Sequence, residues 1–218
     1  MACFFIVTIL WVFSVCLHEF GHAIVAYYGG DTSVKEKGYL TLNPLRYTHP
    51  VYSLLMPVIF MALGGIGLPG GAVYIERDRL RSRNWDMAVS LAGPAMNVLL
   101  VFALCLPFWA HVVPTDPDSV AAISLAFLIR LQICAVIFNL LPVPPLDGFQ
   151  AVAPWLPEET RDRLFAQSNL FFFGLILILW SVPAANDLLW NTVNGISDFL
   201  GIHPLLALRG RFEYQFWE

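Results

Sequence analysis

Long apolar runs alternate with short polar segments along the chain. An α-helix needs about 20 apolar residues to cross the hydrocarbon core of a bilayer, and four runs approach that length. They are residues 2–28, 87–109, 119–141 and 164–190, the last of which is interrupted by Pro183. The pattern predicts an all-α polytopic membrane protein with four main transmembrane helices.

A fifth apolar run, residues 51–68, is shorter and is broken by proline and glycine residues. We expect a re-entrant or half-inserted element here, between the first and second transmembrane helices, because irregular backbone at membrane depth is tolerated where it lines a polar cavity. Residues 72–75, which follow it, have the composition of a strand. Residues 191–218 hold no run long enough to span, which predicts an interfacial C-terminal segment. Residues 1–218 then form one membrane-embedded domain.

The composition supports membrane insertion and excludes an ordinary soluble domain. Mean hydropathy is +0.67 and only 13% of the residues are charged, whereas soluble domains have about 25% charged residues. The net charge of −4 comes from short loops and gives no indication of a nucleic-acid partner. The lipid bilayer is the expected surrounding, and the sequence leaves the oligomeric state open.

The first apolar run contains the sequence H-E-F-G-H at residues 18–22. On a helix, His18 and His22 project from one face one turn apart, so two neutral imidazoles can bind one Zn²⁺. Glu19 lies beside the metal, where it can accept a proton from a water that zinc activates. The alternative is a helix whose histidines only make hydrogen bonds. Ionisable groups inside an apolar run are costly, however, and usually mark functional sites.

A second polar group follows the third predicted transmembrane helix. Residues 139–148 read N-L-L-P-V-P-P-L-D-G, in which the prolines end the helix and force an extended turn. Asp147 is the best third ligand, because a catalytic zinc takes three protein ligands and keeps a fourth position for water. A simple Asx-turn is the alternative. Competing third ligands are the other acidic loop residues and histidines: Glu76, Glu158, Glu159, His49, His111 and His203.

Together, these motifs resemble the site-2 protease family of intramembrane zinc metalloproteases. Residues 90–97, S-L-A-G-P-A-M-N, are similar to that family's S-L-A-G-P-x-x-N motif, and residues 42–45, L-N-P-L, to a stretch of its small members. The chain departs from small members where His49 precedes Pro50 in place of an acidic residue. The resemblance covers about residues 18–148 and implies a minimal member without a PDZ or CBS domain.

The resemblance also implies a role for each motif residue. His18, His22 and Asp147 would bind one Zn²⁺ per chain. Glu19 would be the catalytic base, and Asn139 would lie near the reacting carbonyl. The resemblance implies that Asn97 contacts the substrate. The strand-like composition of the following residues predicts that they also contact it: Gly71, Ala72, Val73, Tyr74 and Ile75.

The convergence of both ligand groups on one zinc constrains the topology. The histidines lie near the end of the first apolar run and Asp147 follows the end of the third, so both ends must face the same side. Residues 51–68 then cannot be a single full crossing. With this arrangement the Lys and Arg residues near the spans fall on the zinc side, while residues 110–118 on the other side contain none. The positive-inside rule makes the zinc side cytoplasmic, and the predicted location is a prokaryotic cell (inner) membrane.

The predicted function is an intramembrane zinc metalloendopeptidase that cleaves a peptide bond in or near a transmembrane helix of a membrane-protein substrate. Residues 71–75 could extend the substrate by strand addition; an ordinary loop is the alternative. A second hypothesis is a non-proteolytic zinc-containing membrane scaffold, although a structural site has no need of Glu19. An ion transporter is less favoured, because the chain has no internal repeat. Arg130, within the third run, is either a buried paired charge or part of a substrate gate.

Overall fold

The computed structural model describes residues 1–46 and 73–215, except for the side chain of Leu45. The all-α prediction is confirmed for these residues, which form nine α-helices and three short 3₁₀ turns. The helices are α1 (Ala2–Gly29), α2 (Ser33–Glu36), α3 (Arg83–Trp109), α4 (Val120–Asn139), α5 (Asp147–Val152), α6 (Glu158–Ala166), α7 (Ser168–Ser181), α8 (Pro183–Phe199) and α9 (Pro204–Tyr214). The 3₁₀ turns are Pro44–Arg46, Arg77–Arg79 and Ala153–Trp155.

Within the described residues, three helices, α1, α3 and α4, are long and apolar enough to cross a membrane. They correspond to the first three predicted runs, with ends displaced by a few residues. α1 ends where Gly30 adopts a φ of 124°, a conformation that favours glycine and stops a helix. α3 begins earlier than predicted because the Ser82 hydroxyl caps it by accepting a hydrogen bond from the Trp85 N–H.

The predicted fourth transmembrane helix, residues 164–190, is not one helix. The chain forms parts of α6, α7 and α8 there, and α6 and α7 are bent by 61° relative to each other. A second break precedes Pro183, whose ring removes the N–H that a continuing helix would need. The prediction of four main spans is therefore confirmed for three, and the bent α6–α7 pair could supply a fourth as a broken span.

The predicted re-entrant element, residues 51–68, lies outside the described residues, as do residues 71–72. Of the strand-like stretch the structure describes residues 73–75, and none of these three is in a strand. The Val73 N–H and the Tyr74 carbonyl oxygen bond to side chains instead of to a second strand. A strand requires a ladder of backbone hydrogen bonds, so the strand prediction is not confirmed for these residues.

The three long helices form a bundle with two different ends. α1 and α3 pack against each other, and both contact α4. The late part of α1, the early part of α3 and the last turn of α4 form what we call the polar end, which is defined by His18, Gly93 and Asn139. This end positions the site.

The opposite end, which we call the apolar end, is defined by Cys3, Trp109, Ile123 and Gly210. α9 packs here against α4, with Gly210 directly on the Ile123 carbonyl group. The Cys3 thiol donates to the Gly210 carbonyl oxygen at 3.4 Å. The predicted interfacial segment thus includes a helix that packs on the bundle, and its position relative to lipid stays a prediction.

Candidate metal centre

One face of α1 and the start of α5 bring three possible metal ligands together. His18 Nε2 lies 3.0 Å from His22 Nε2, and oxygens of the Asp147 carboxylate lie 3.2 Å and 3.4 Å from these two nitrogens. A tetrahedral zinc with bonds of about 2.0–2.1 Å separates its ligand atoms by about 3.3 Å. The three side chains therefore fit a zinc ion, and they are the single group of this kind found among the described residues.

His22 is held in the orientation that a ligand needs. Its Nδ1 lies 2.7 Å from the Val89 carbonyl oxygen on α3. A carbonyl oxygen can only accept, so Nδ1 donates a proton and Nε2 is left for the metal. Metal-binding histidines usually make such a hydrogen bond through their second nitrogen, and the packing of α3 on α1 supplies it here.

Asp147 begins α5 immediately after the proline-rich turn. Gly148 lies so close to the Leu140 carbonyl that a Cβ at this position would overlap it. The turn therefore folds back on the end of α4 and directs the carboxylate at the histidines. Burial would raise the pKa of Asp147, but the nearby imidazoles of His22 and His18 outweigh burial and lower it. The lowered pKa favours the ionised form of the carboxyl group, which is the form that binds a metal.

A cavity of about 660 Å³ opens onto these three residues, a volume typical of ligand-binding cavities. Glu19 and Asn139 line it, and both are almost fully buried. Residues 73–75 form part of the wall, and so do Phe172 and Phe173 of α7. The cavity therefore joins the possible ligands, a carboxylate that can transfer protons, and an amide within one space.

Comparisons with known proteins identify the family. The chain is 43% identical over 218 residues to a protein of Mycolicibacterium smegmatis named "Putative zinc metalloprotease Rip2", covering 98% of this chain and 81% of that protein. A protein of the same name from Mycobacterium tuberculosis is 42% identical over 208 residues, covering 95% of this chain and 78% of that protein. "Putative zinc metalloprotease YwhC" of Bacillus subtilis is 31% identical over 199 residues, covering 86% and 85%. No family model and no solved structure matches the chain.

This chain belongs to the site-2 protease family. It is a zinc metalloprotease, and zinc is its cofactor. The three long apolar helices indicate an integral membrane protein, and the bacterial relatives indicate a prokaryotic membrane. The enzyme class and the metal that the motifs predicted are therefore confirmed, while the individual residue roles stay predictions.

Gly93 gives the two imidazoles of the protease the space that they occupy. A Cβ at this position would overlap His22 Nε2 and would lie 2.6 Å from the His18 ring. Any larger residue would therefore displace the rings or push α3 away from α1. The motif at residues 90–97 contained the signal for this role, but sequence reasoning assigned Gly93 none.

Residues 73–76, an irregular segment that precedes the 3₁₀ turn Arg77–Arg79, contact Glu19 directly through Val73. The Val73 N–H donates to the Glu19 carboxylate at 3.0 Å. Sequence reasoning placed residues 71–75 near the substrate but not beside Glu19. It could not predict this contact, because a backbone N–H is common to nearly every residue type and leaves no signal in the sequence.

The loop after α1 fixes this segment in place. Asp31 is fully buried and accepts hydrogen bonds from the N–H groups of Ser33 at 3.0 Å and Glu76 at 2.8 Å. Lys37 donates to the Glu76 carboxylate at 2.7 Å and to the Tyr74 carbonyl oxygen at 3.3 Å. The Lys37 hydrogen bond lowers the pKa of the Glu76 carboxyl. These contacts hold residues 73–76 against the cavity.

The other predicted residues lie apart from the large cavity or outside the group of ligands. Asn97 is buried and faces a separate, small cavity with His18, so its contact with substrate stays a prediction. Arg130 donates to Asn194 at 3.2 Å and lies 4.4 Å from the centre of the Trp190 ring, which favours a paired charge over a gate. The alternative third ligands that the structure describes lie outside the group of His18, His22 and Asp147: they are Glu76, Glu158, Glu159, His111 and His203. The remaining alternative, His49, is not among the described residues.

Proposed function

We propose that this protease cleaves a peptide bond within or beside a transmembrane helix of a membrane-protein substrate. The observation that supports this most directly is the position of the site along an apolar helix. α1 is 28 residues long, and a rise of about 1.5 Å per residue puts His18 about 24 Å from its start. A hydrocarbon core is about 30 Å thick, so the reacting bond would lie at membrane depth.

The composition of the cavity wall supports entry of the substrate from lipid. Phe173 lines the cavity and is 65% exposed, and Leu170 and Leu177 on the same helix are also exposed. Exposed apolar side chains of this density favour contact with lipid tails or with a second apolar helix. A substrate helix that approaches α7 could reach the cavity between α7 and residues 73–75.

The residues around the cavity divide the reaction between them. His18, His22 and Asp147 would hold zinc, which supplies a Lewis acid and lowers the pKa of water to about 7. Glu19 accepts the proton of the attacking water and later donates it to the leaving amine. The Val73 N–H fixes the orientation of the Glu19 carboxylate.

Two further groups would act on the substrate backbone. The Asn139 amide faces the cavity from the end of α4 and can donate to the oxyanion that forms on the scissile carbonyl. A helical substrate hides its carbonyls in hydrogen bonds and must first be extended. In an extended segment alternate residues present their backbone groups on the same side. Because the Val73 N–H faces the site, the backbone of Ile75 would face it too and could pair with the substrate.

Glu19→Gln tests the proposal, since it keeps the size of the side chain and removes the proton acceptor. We expect zinc content to be unchanged and turnover to fall by about 10²–10⁴-fold, the usual contribution of a general base. The measurement is the set of new protein termini in membranes of a bacterial host that expresses the wild type or the variant. Termini within or beside transmembrane segments should depend on Glu19.

Two outcomes would contradict parts of this proposal. In the first, new termini appear only in soluble proteins and the purified enzyme cleaves β-casein. The protein would then be a metalloprotease that does not cleave within the membrane. Identical termini in wild type and Glu19→Gln would remove the base and favour the zinc-containing scaffold.

We also propose that the zinc side faces the cytoplasm. The basic residues of the loops after α1 and before α3 lie on that side, and the loop between α3 and α4 has none. The apolar end has Arg209 and Arg211 of α9, which flank Gly210. Thr115→Cys and Thr160→Cys place single exposed thiols on the two sides, while the native cysteines are all buried. In intact cells a membrane-impermeant maleimide should label the first variant only; labelling of only the second would reverse the orientation.

A further inference from the structure

A second, much smaller cavity also touches His18. It measures about 20 Å³ and is lined by side chains of α1, α3 and α4, among them Trp11, Asn97 and Asn139. A buried water needs about 10–15 Å³ of such space and two to four polar partners. The cavity therefore has room for one water and for little else.

Three residues that line this cavity each have a buried polar atom with no hydrogen-bond partner among the described residues: Trp11 Nε1, His18 Nδ1 and Asn97 Oδ1. The three residues are 2%, 7% and 5% exposed. Buried polar groups are nearly always paired, with protein or with ordered water. Three unpaired atoms around one cavity of this size indicate a common partner.

The hydrogen-bonding capacities of the three atoms match a single water. When His18 binds a metal through Nε2, its Nδ1 carries a proton and is a donor. The Trp11 indole N–H is a second donor, and Asn97 Oδ1 is an acceptor. One water accepts from the first two and donates to the third. We propose that a buried water bridges His18 to Asn97, and that Asn97 is a positioning residue that fixes the orientation of the His18 imidazole through this water.

The environment of His22 supports this assignment by comparison. His22 donates through Nδ1 directly to the Val89 carbonyl oxygen. His18, one turn earlier on the same helix, has no such protein acceptor within reach among the described residues. With the water, both imidazoles donate through Nδ1 and direct Nε2 at Asp147, and α3 supplies the final acceptor in both cases.

Asn97→Leu tests the bridge, because it removes the acceptor and keeps the number and branching of the side-chain heavy atoms. We expect zinc affinity, measured by competition with a chromophoric chelator on purified protein, to fall by about 10–100-fold. Asn97→Asp retains an acceptor oxygen and should keep affinity close to wild type. Trp11→Phe removes one donor only and should cause a smaller decrease than Asn97→Leu.

Val101→Ala is the matched control, since Val101 is buried on α3 one turn beyond Asn97 and does not line the cavity. It should lower thermal stability but leave zinc affinity unchanged. A merely structural role for Asn97 predicts the same behaviour for both variants. The visible absorption of the cobalt-loaded protein should change in Asn97→Leu and not in Val101→Ala.

The inference rests on His18 being a zinc ligand, and the same assay separates the two claims. If His18→Ala and His22→Ala retain zinc, the ligand set is wrong. If they lose zinc while folded Asn97→Leu keeps wild-type affinity and cobalt spectrum, only the water bridge is overturned. If Asn97→Leu does not fold, wild-type affinity and spectrum in Trp11→Phe overturn it. A high-resolution experimental structure should contain a water within hydrogen-bond distance of all three atoms.

Discussion

Gly93 and Gly210 each let two helices approach more closely than a side chain would allow, but they do so at opposite ends of the bundle. At the polar end, Gly93 of α3 faces the imidazoles of His18 and His22. At the apolar end, Gly210 of α9 faces the backbone carbonyl of Ile123. One contact sets the positions of two side chains, whereas the other joins two helix backbones.

The two ends bury different kinds of groups. The polar end buries His18, Glu19 and Asn139, whose removal from water is unfavourable unless each finds a partner. The apolar end buries groups such as Ile202 and Leu206 in one apolar cluster, and the close packing of such groups stabilises the fold. Folding should therefore depend chiefly on the apolar end and metal binding on the polar end, and variants at the two ends should separate these properties.

The largest expected effect comes from removing a ligand at the polar end. His22→Ala deletes one of the three proposed ligands, and Zn²⁺ needs all three to be held with one position open. Zinc content, measured by mass spectrometry on purified protein, should fall from about one ion per chain to near zero. An unchanged zinc content would show that the polar end is not the metal site.

Gly93→Ala should have the next largest effect. Its Cβ would displace both imidazoles, and we expect zinc affinity to fall by about 10–100-fold, as for other disturbances around metal ligands. Titration with a competing chelator measures this change. Wild-type affinity together with lowered thermal stability would mean that α3 moves and the ligands do not, and the contrast between the two glycines would be lost.

Gly210→Ala should affect stability and leave the metal unchanged. The added Cβ would overlap the Ile123 carbonyl, and overpacking of this kind costs about 1–3 kcal/mol. Thermal unfolding in detergent, followed by tryptophan fluorescence, measures the loss. A decrease in zinc affinity as large as that of Gly93→Ala would contradict the separation of the two ends.

Glu76→Gln should have the smallest effect, because the Glu76–Lys37 pair is only half-buried and ion pairs near the surface contribute little. The Lys37 hydrogen bond lowers the pKa of folded Glu76 below its ordinary value of 4.5. The pair therefore stabilises the protein above that value, and its contribution is lost as the pH falls through the lowered pKa. The wild type should melt slightly above the variant at neutral pH, and the difference should disappear in acid. A difference that grew in acid would contradict this sign.

Much of the fold follows from the lengths of the apolar runs, and the predictions that were wrong have local causes. The ends of α1, α3 and α4 were predicted within a few residues, because burial of the backbone in lipid requires long helices. The prediction of a single transmembrane helix over residues 164–190 was not confirmed, because Pro183 removes a backbone donor and because hydropathy does not report a bend.

The site was predicted where chemistry requires particular side chains. His18 and His22 were predicted as ligands from their spacing, and Asp147 from its place after the proline-rich turn and from the family resemblance. The structure brings the three side chains together, and their role as ligands stays a prediction. The contacts that support them were not predicted. The Val89 carbonyl and the Val73 N–H are backbone groups, so their contribution depends on position and not on residue type.

The sequence by itself determined the class of the protein and predicted the three side chains that we propose bind its metal, because both depend on residue type and on spacing along a single helix or turn. Only the tertiary structure decided which backbone carbonyl orients His22, which segment lies against Glu19, and why Gly93 must be small. These are contacts between residues far apart in the chain, and they exist only after the helices have packed at a particular distance and angle.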